Sequence, residues 1–542
     1  MTILERYCKA LYPKWIPTRV VICVMLFINC WTSYMLRLQM PILAVPMIIS
    51  QSENSTSGAC VQDDDSSNRK RRFLDDDNYL YTWITNEKDS IHLKRLSRAS
   101  DNKALEIEPR AYLFSGEPFD WSPEVRGQLI AAYSYGNVPG NFIGGIMALK
   151  LGPKRAVLWT ALLAALISLI TPLLAHAHWG VLLMSRVIIG FTGGVTFPAC
   201  HTMVAKWAPP DEKQRFIWSL LGGTFGTMLT YPMIAGIAGD INWEMGWYLP
   251  SLLMFVWIGF WALLAYDTPN EHPGISTKEK EYILNSQMGI VRQEKPTLKQ
   301  TPVKQIFTSI PFWSLIMCHF GNLFLLFFYQ NAMMLYLTKA LGFKLAKGGA
   351  IASLPWAGRM LFGFFFSWAG DTIKKRKLIS ITALRKGATI FSHLIPGICL
   401  IAVGYLGCSF VWANFFLVLA LGFNGAASIS NLSNNQDLSP NFAGFLYGIM
   451  NTIGCTTGMI IPPMVEAIAG RYGNPINKWQ ILFWIGAAVC ILCMLIFILG
   501  GSGQVQSWNE IAPAKRTDTE VEAGAETTTP TGTKVQPSDI KT

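Results

Sequence analysis

The hydrophobic residues of this chain occur in long, nearly uncharged blocks that are separated by short polar or basic segments. Residues 156–175, AVLWTALLAALISLITPLLA, are typical, because no charged side chain interrupts them. A helix of about 20 apolar residues crosses the roughly 30 Å hydrocarbon core of a bilayer. The pattern therefore predicts a membrane protein that is built from transmembrane α-helices.

Twelve such blocks predict an all-α membrane protein with twelve transmembrane helices. The predicted spans are 19–48, 125–148, 156–175, 179–205, 216–239, 246–266, 311–338, 348–370, 379–405, 408–430, 442–470 and 478–500. A small-residue helix end followed by a basic turn occurs at 144–155 and again at 367–377, each time after the second span of a group of six. The repeat predicts two six-helix halves that rock around a site near the bilayer midplane.

Hydrophilic segments separate the predicted parts of the chain, and their basic residues predict its orientation. The order is a cytosolic N-terminus (1–18), an N-terminal half (19–267) with a hydrophilic insert (50–122), a cytosolic linker (268–310), a C-terminal half (311–500) and a cytosolic tail (501–542). Lysines and arginines follow the second, fourth and eighth spans, which the positive-inside bias assigns to the cytosol. The insert is then extracellular or lumenal, and its mixed charge, like the tail's composition, is typical of disorder.

The overall composition excludes several classes of function. Hydrophobic residues make up 51% of the chain and charged residues 15%, and the net charge is +11. The basic residues flank the spans, which is typical of topology signals and not of nucleic-acid binding. The sequence has no phosphate-binding Gly-Lys-Ser loop, no catalytic pair of carboxylates and no metal-ligand cluster. We therefore predict a non-enzyme without a cofactor, acting as a monomer in a lipid bilayer.

The cysteines and one glycosylation signal give weaker information. Most of the eleven cysteines lie within predicted spans, and Cys490 and Cys493 of the last span have CxxC spacing that is more typical of packing than of redox chemistry. Cys60 stands alone in the hydrophilic insert, so we expect no disulfide framework. Asn54 begins an Asn-Ser-Thr triplet in the same insert and is a predicted glycosylation site.

Two arginines lie in predicted spans that offer no carboxylate, Arg37 in the first span and Arg186 in the fourth. A cation in hydrocarbon is costly and usually faces a cavity that marks a substrate path. Asn29, Ser33 and Arg37 are spaced by four residues and share one helix face. We predict that both arginines bind an anionic substrate. The alternatives are that Arg37 reaches the lipid headgroups and that the glycines near Arg186 form a packing seam.

Other polar residues in the second half extend this candidate site. Asn322 in the seventh span and Asn451 in the eleventh are predicted substrate contacts, although helix–helix hydrogen bonds would explain them equally well. His319, also in the seventh span, is a candidate for ion coupling. Arg359, at the middle of the eighth span, is either a third anion contact or the partner of Glu466.

Several ordered motifs resemble the anion–cation symporter branch of the major facilitator superfamily, which includes sialin, vesicular glutamate transporters and type I sodium–phosphate cotransporters. The motifs are GVTFPACH (194–201), WAPP (207–210), DTP (267–269), KEKEYI (278–283) and DLSP (437–440). The resemblance extends over most of 15–508. It implies the twelve-helix major facilitator fold and a cytosolic gate, here formed by Lys150, Lys154, Arg155 and Asp371.

The resemblance also carries expectations about the substrate and its coupling. Arginines that match Arg37 and Arg186 contact the anion in the relatives, whereas Gly193 stands here in place of a coupling glutamate. His201 is retained, and with an ordinary pKa near about 6.5 a histidine can carry a proton. Asn322 occupies the position of an arginine in vesicular glutamate transporters, which makes glutamate a poor candidate.

Together these features predict a secondary transporter of inorganic phosphate or small organic anions, coupled to Na⁺ or H⁺. An anion channel on the same scaffold and a ligand sensor that does not transport are the alternatives. The sequence leaves open whether the protein resides in the plasma membrane or in an endolysosomal or vesicle membrane. Glu279, Ile283 and Leu284 loosely match an endolysosomal sorting signal, but they are equally compatible with a structural role.

Overall fold

A computed structural model describes residues 16–49, 60, 116–209, 212, 216, 219, 221–287, 302–439 and 442–509. The first half contains helices α1 (Thr18–Met47), α2 (Pro123–Lys150), α3 (Pro153–Ala177), α4 (Trp179–Trp207), α5 (Gly222–Asp240) and α6 (Met245–Leu264). The second half contains α7 (Ile310–Ala340), α8 (Leu345–Lys375), α9 (Ile381–Tyr405), α10 (Phe410–Leu438), α11 (Phe445–Tyr472) and α12 (Ile476–Gly500).

These helices confirm the predicted all-helical membrane fold. Ten of them are long and apolar enough to cross a membrane, and the two outside this set are α2 and α5. Helix α2 carries polar residues along its length, and the 19-residue α5 contains many glycine and threonine residues, which lower its mean hydropathy. Helix α10 extends beyond the predicted end at 430, so Asn431 is fully buried inside the bundle and does not lie where the helix meets the cytosol.

The two ends of the 50–122 insert meet beside the first helix. The N–H of Ile49 donates to the carbonyl of Phe119 at 3.0 Å, and the N–H of Phe119 donates to the carbonyl of Met47 at 2.7 Å. The insert therefore leaves and rejoins the bundle at one point, which we call the outer end. The predicted glycosylation site Asn54 lies outside the described residues.

A disulfide joins the insert to the second half, and the prediction that Cys60 stands alone was wrong. Cys60 is bonded to Cys408, which lies between α9 and α10 at a sequence separation of 348 residues. Cys60 also packs against the hydrophobic core that includes Leu417 and Trp479. The prediction failed because Cys408 was assigned to the start of a span, although it precedes the helix that begins at Phe410.

We expect the disulfide to be recovered by peptide mapping of the purified full chain. A digest without reductant should yield the Cys60 peptide linked to the Cys408 peptide, and a reductant should separate them. The variant Cys408→Ser should lose this species while the buried free cysteines remain unlinked. Recovery of both peptides as free thiols from the unreduced protein would contradict the assignment.

The two halves are joined at the outer end by a buried ion pair. Arg126 of α2 donates from Nε to Glu466 Oε1 of α11 at 2.7 Å and from Nη2 to Oε2 at 2.9 Å. Both side chains are almost fully buried, with exposed fractions of 0% and 2%. The alternative that Glu466 pairs with Arg359 was therefore wrong. A second pair, Glu124 with Arg471, links the same helices at the surface.

Helices α5 and α8 also approach each other closely towards the outer end. A Cβ atom built on Gly349 would lie 2.4 Å from Cβ of Ala235 and 2.7 Å from the carbonyl oxygen of Tyr231. Only a residue without a side chain fits this contact. The described ion pairs between the halves also lie at the outer end, so this side of the bundle is closed.

The linker helix (Thr277–Gln287) is attached to the start of α1. The carboxylate of Glu279 accepts the backbone N–H groups of Thr18 and Arg19, each at 3.0 Å. A carboxylate there satisfies N–H groups that have no partner within the helix and complements the helix dipole. Ile283 is fully buried in the first half. These contacts favour the structural role of this segment over the sorting signal.

Candidate functional site

Arg37 lies between the two halves and is surrounded by aromatic rings. Its guanidinium carbon is 4.1 Å from the ring centroid of Phe327 in α7, 5.1 Å from that of Tyr133 in α2 and 5.6 Å from that of Tyr34. The side chain is 9% exposed, and it forms no ion pair with a described carboxylate. It therefore faces the interior of the bundle and does not reach the lipid headgroups.

Arg186 lies behind Arg37 and is bonded to the backbone of α1. Its Nη1 and Nη2 donate to the carbonyl oxygens of Leu36 and Arg37 at 3.1 and 3.0 Å. The side chain is fully buried, and its Nε has no partner among the described residues. Arg186 thus fixes the backbone that carries Arg37, and its Nε–H could donate to a water molecule or an anion oxygen.

Tyr133 fills the space beside Gly193 and contacts both arginines. A Cβ atom at Gly193 would lie 2.0 Å from the Tyr133 hydroxyl oxygen, so any larger residue there would displace the tyrosine. The Tyr133 ring lies 5.6 Å from the Arg186 guanidinium carbon as well as beside Arg37. The close packing at the glycines near Arg186 therefore also serves the cation site, because it places the Tyr133 ring beside Arg37 and Arg186.

A small cavity lies beside this group in the first half. Its volume is about 20 Å³, which is space for about one water molecule. Its polar lining consists of Asn29, Ser33, Tyr133, Thr160, Thr192 and Thr196. Asn29 and Ser33 of the predicted polar face of α1 thus line this cavity, whereas Arg37 points to the boundary between the halves.

A chain of hydrogen bonds connects the halves nearer the inner end. Asn431 donates to Nδ1 of His319 at 2.7 Å, and Nε2 of His319 lies 3.4 Å from Oδ1 of Asn451. Asn451 in turn donates to Oδ1 of Asn141 in α2 at 3.4 Å. A histidine whose Nδ1 accepts a hydrogen bond carries its proton on Nε2 and is neutral. The structure therefore brings His319 and Asn451 together. They belong to a hydrogen-bonded connection between the halves, which we call the crossing and which consists of Asn431, His319, Asn451 and Asn141.

His201 and Asn322 are the remaining predicted coupling and substrate residues. The ring of His201 lies 5.5 Å from that of Tyr447, and the ring of His319 lies 6.0 Å from the same tyrosine, so Tyr447 stands between the two histidines. Asn322 is buried, and its side-chain oxygen has no partner among the described residues. It is thus available to a water molecule or a ligand.

The predicted cytosolic gate is only partly held by contacts. The backbone N–H of Lys154 donates to Asp267 at 2.6 Å, and its ammonium nitrogen lies 3.9 Å from the ring centroid of Tyr266. Lys150, Arg155 and Asp371 are exposed. His272 packs on the same tyrosine at 4.7 Å. Burial lowers the pKa of His272 to about 4, so its imidazole is neutral at cytosolic pH.

The residues that sequence reasoning missed are Arg126, Tyr133 and Tyr447. Arg126 and Glu466 are opposite charges in two predicted spans, and the predicted topology places both near the outer end. That combination was a signal for their pairing. No comparable signal marked the two tyrosines, because aromatic residues occur throughout the spans.

A sequence profile of the Major Facilitator Superfamily matches residues 22–462. This chain belongs to that superfamily. Human sialin is 30% identical over 395 residues, which cover 73% of this chain and 79% of sialin. A Drosophila melanogaster protein named for proposed inorganic phosphate cotransport is 31% identical over 399 residues, 72% of this chain and 74% of that protein. These relatives confirm the resemblance to the anion–cation symporter branch.

A solved structure supports the same fold. The crystal structure of a D-xylose–proton symporter aligns with a TM-score of 0.56 at 12% identity, covering 90% of this chain and 99% of the symporter. At this identity the likeness concerns the fold alone. The superfamily and the relatives establish an integral membrane protein of the plasma membrane or of vesicle and lysosomal membranes.

Proposed function

We propose that this protein is a secondary active transporter that carries small anions across the membrane by alternating access. The observation that supports it best is Arg37, a cation at the boundary between the halves whose described neighbours are aromatic rings and carry no negative charge. An anion would neutralise this charge and lower the cost of enclosing it in a low-dielectric interior. Sialin and the phosphate-transporter relative, whose names refer to anions, support the same proposal.

In this proposal the two predicted arginines have different tasks. Arg37 binds the anion directly, because it faces the space between the halves. Arg186 holds the backbone of α1 in place through its two bonds to carbonyl oxygens, and its Nε–H is available to an anion oxygen or a water molecule. Binding at the boundary lets the halves close around the substrate from either side.

The coupling ion is proposed to be Na⁺ or H⁺. A proton on His201 would reach an exposed side chain, whereas a second proton on His319 would displace the hydrogen bond that Asn431 donates to it. Protonation of His319 would therefore change a hydrogen bond within the second half, because Asn431 and His319 both belong to that half. Membrane potential is a further driving force, because one unit charge moved through 100 mV gains about 2.3 kcal/mol.

The proposal is tested by uptake into proteoliposomes that contain the full chain. Labelled phosphate, sialic acid, glutamate and urate are offered with an imposed Na⁺ gradient, pH gradient or potential. We expect saturable uptake of at least one anion, stimulation by one gradient, and exchange against the same anion inside. Currents that rise linearly with anion concentration would contradict transport and indicate a channel, and binding without uptake would indicate a sensor.

A further inference from the structure

Tyr231 of α5 is hydrogen-bonded across the boundary between the halves. Its hydroxyl group donates to the backbone carbonyl oxygens of Tyr329 and Gln330 in α7, at 3.0 and 2.9 Å. A carbonyl oxygen has two lone pairs, so each of these can accept from Tyr231 in addition to its bond within the helix. The Tyr231 side chain is fully buried. The hydroxyl group therefore donates its only proton to the opposite half, inside the closed bundle.

The backbone of Tyr231 also contacts the second half. A Cβ atom built on Gly349 of α8 would lie 2.7 Å from the carbonyl oxygen of Tyr231. Helix α5 is thus attached to α7 through a side chain and is packed on α8 through its backbone. Outward opening separates α5 from both helices, because α7 and α8 belong to the opposite half.

The hydrogen bond of Tyr231 lies on the outer side of the ring that contacts the cation. The ring centroid of Phe327 in α7 is 4.1 Å from the guanidinium carbon of Arg37. Tyr329 and Gln330 follow Phe327 by two and three residues. Helix α7, like α1 and α5, runs towards the outer end, so these residues lie about 3–5 Å nearer that end. Separation of α5 from α7 on this side of Arg37 therefore breaks the bond.

We infer that Tyr231 is a positioning residue that latches the outer side of the transporter, because its hydroxyl bond forms in the outer-closed state and breaks on outward opening. This inference rests on the alternating access of the proposed function. In the open state the hydroxyl group donates to water instead of to α7. Because one acceptor replaces another, the net effect of the bond on the ratio of the two states is about two- to tenfold. A latch of that strength favours closure but still opens during a transport cycle.

The test uses two variants that each lose one buried hydroxyl group. Tyr231→Phe removes the bond between the halves and leaves the ring in place. The matched control is Tyr329→Phe, because Tyr329 is also fully buried and its hydroxyl group donates to the backbone carbonyl oxygen of Leu417 at 2.8 Å. Leu417 lies in α10, so this second bond joins two helices of the same half. Both variants should melt slightly below the wild type, but only Tyr231→Phe should change the opening of the outer side.

Fluorescent dyes on cysteines introduced at the exposed positions 122 and 472 measure the separation of α2 and α11 at the outer end in single molecules of the full chain. For Tyr231→Phe we expect the ratio of outward-open to outer-closed time to rise about two- to tenfold, whereas Tyr329→Phe should keep the wild-type ratio. An unchanged ratio in Tyr231→Phe, or an equal rise in both variants, would overturn the latch.

The measurement separates this inference from the proposed function, because it needs no substrate. An unchanged ratio together with saturable uptake of an anion would overturn the latch and leave transport standing. The expected ratios without any uptake by the wild type would support the latch and contradict the proposed function.

Discussion

Replacing Arg37 with glutamine is expected to abolish measurable uptake of the transported anion. A hydrogen bond to a charged group is worth about 1.5–3 kcal/mol, which corresponds to roughly 10- to 150-fold in affinity. The loss should be larger in transport than in binding, because the bound anion would then enter the closed, low-dielectric interior without a counter-charge. Binding to the purified protein and initial uptake rates would measure the two effects separately.

Arg37→Lys and Arg376→Gln are the matched controls for this experiment. Lysine keeps the charge but lacks the planar, two-pronged geometry of the guanidinium, so an intermediate affinity is expected. Arg376 is exposed, and its replacement removes a charge of the same kind without touching the site. Wild-type uptake by a correctly folded Arg37→Gln protein would remove this residue from the site.

Replacing Glu466 with glutamine is expected to destabilise the outer-closed state by about 3–5 kcal/mol. The variant leaves Arg126 fully buried without its carboxylate, and uncompensated burial of a charge is the expensive part of breaking such a pair. The protein should melt at a lower temperature or populate an outward-open state. Thermal unfolding and the distance distribution between spin labels at positions 122 and 472 would distinguish these results.

The surface pair of the same helices provides the comparison. Arg471 and Glu124 are 56% and 48% exposed, so Glu124→Gln should change stability by about 1 kcal/mol or less. Replacing Arg126 and Glu466 together with leucine should recover much of the loss, because no charge then remains buried at this position. Equal effects of Glu466→Gln and Glu124→Gln would show that burial does not set the strength of the outer contact.

The architecture was largely predictable because crossing a bilayer imposes long apolar helices. Most span limits differ from the described helices by a few residues, as for 19–48 against Thr18–Met47. The largest departure concerns α10, whose polar end at Asn431–Leu438 continues as helix inside the bundle. A span predicted from hydropathy ends where polar residues begin. The hydropathy value does not show that neighbouring helices supply hydrogen-bond partners to those residues.

The candidate site was predictable only in its charges. An arginine in a span is conspicuous in the sequence, so Arg37, Arg186 and Arg359 were all noticed. Their partners were not predictable, because backbone carbonyls such as that of Leu36 carry no sequence signal. Two other pairs could have been inferred from the predicted topology. It places Arg126 on the same outer face as Glu466, and Cys408 on the same outer face as Cys60.

The bond between Cys60 and Cys408 makes the covalent structure a ring. The peptide linker connects the halves on one face, and the sulfur atoms connect them on the other. A nick in the 268–310 segment would therefore leave two fragments that still travel together until a thiol reductant is added.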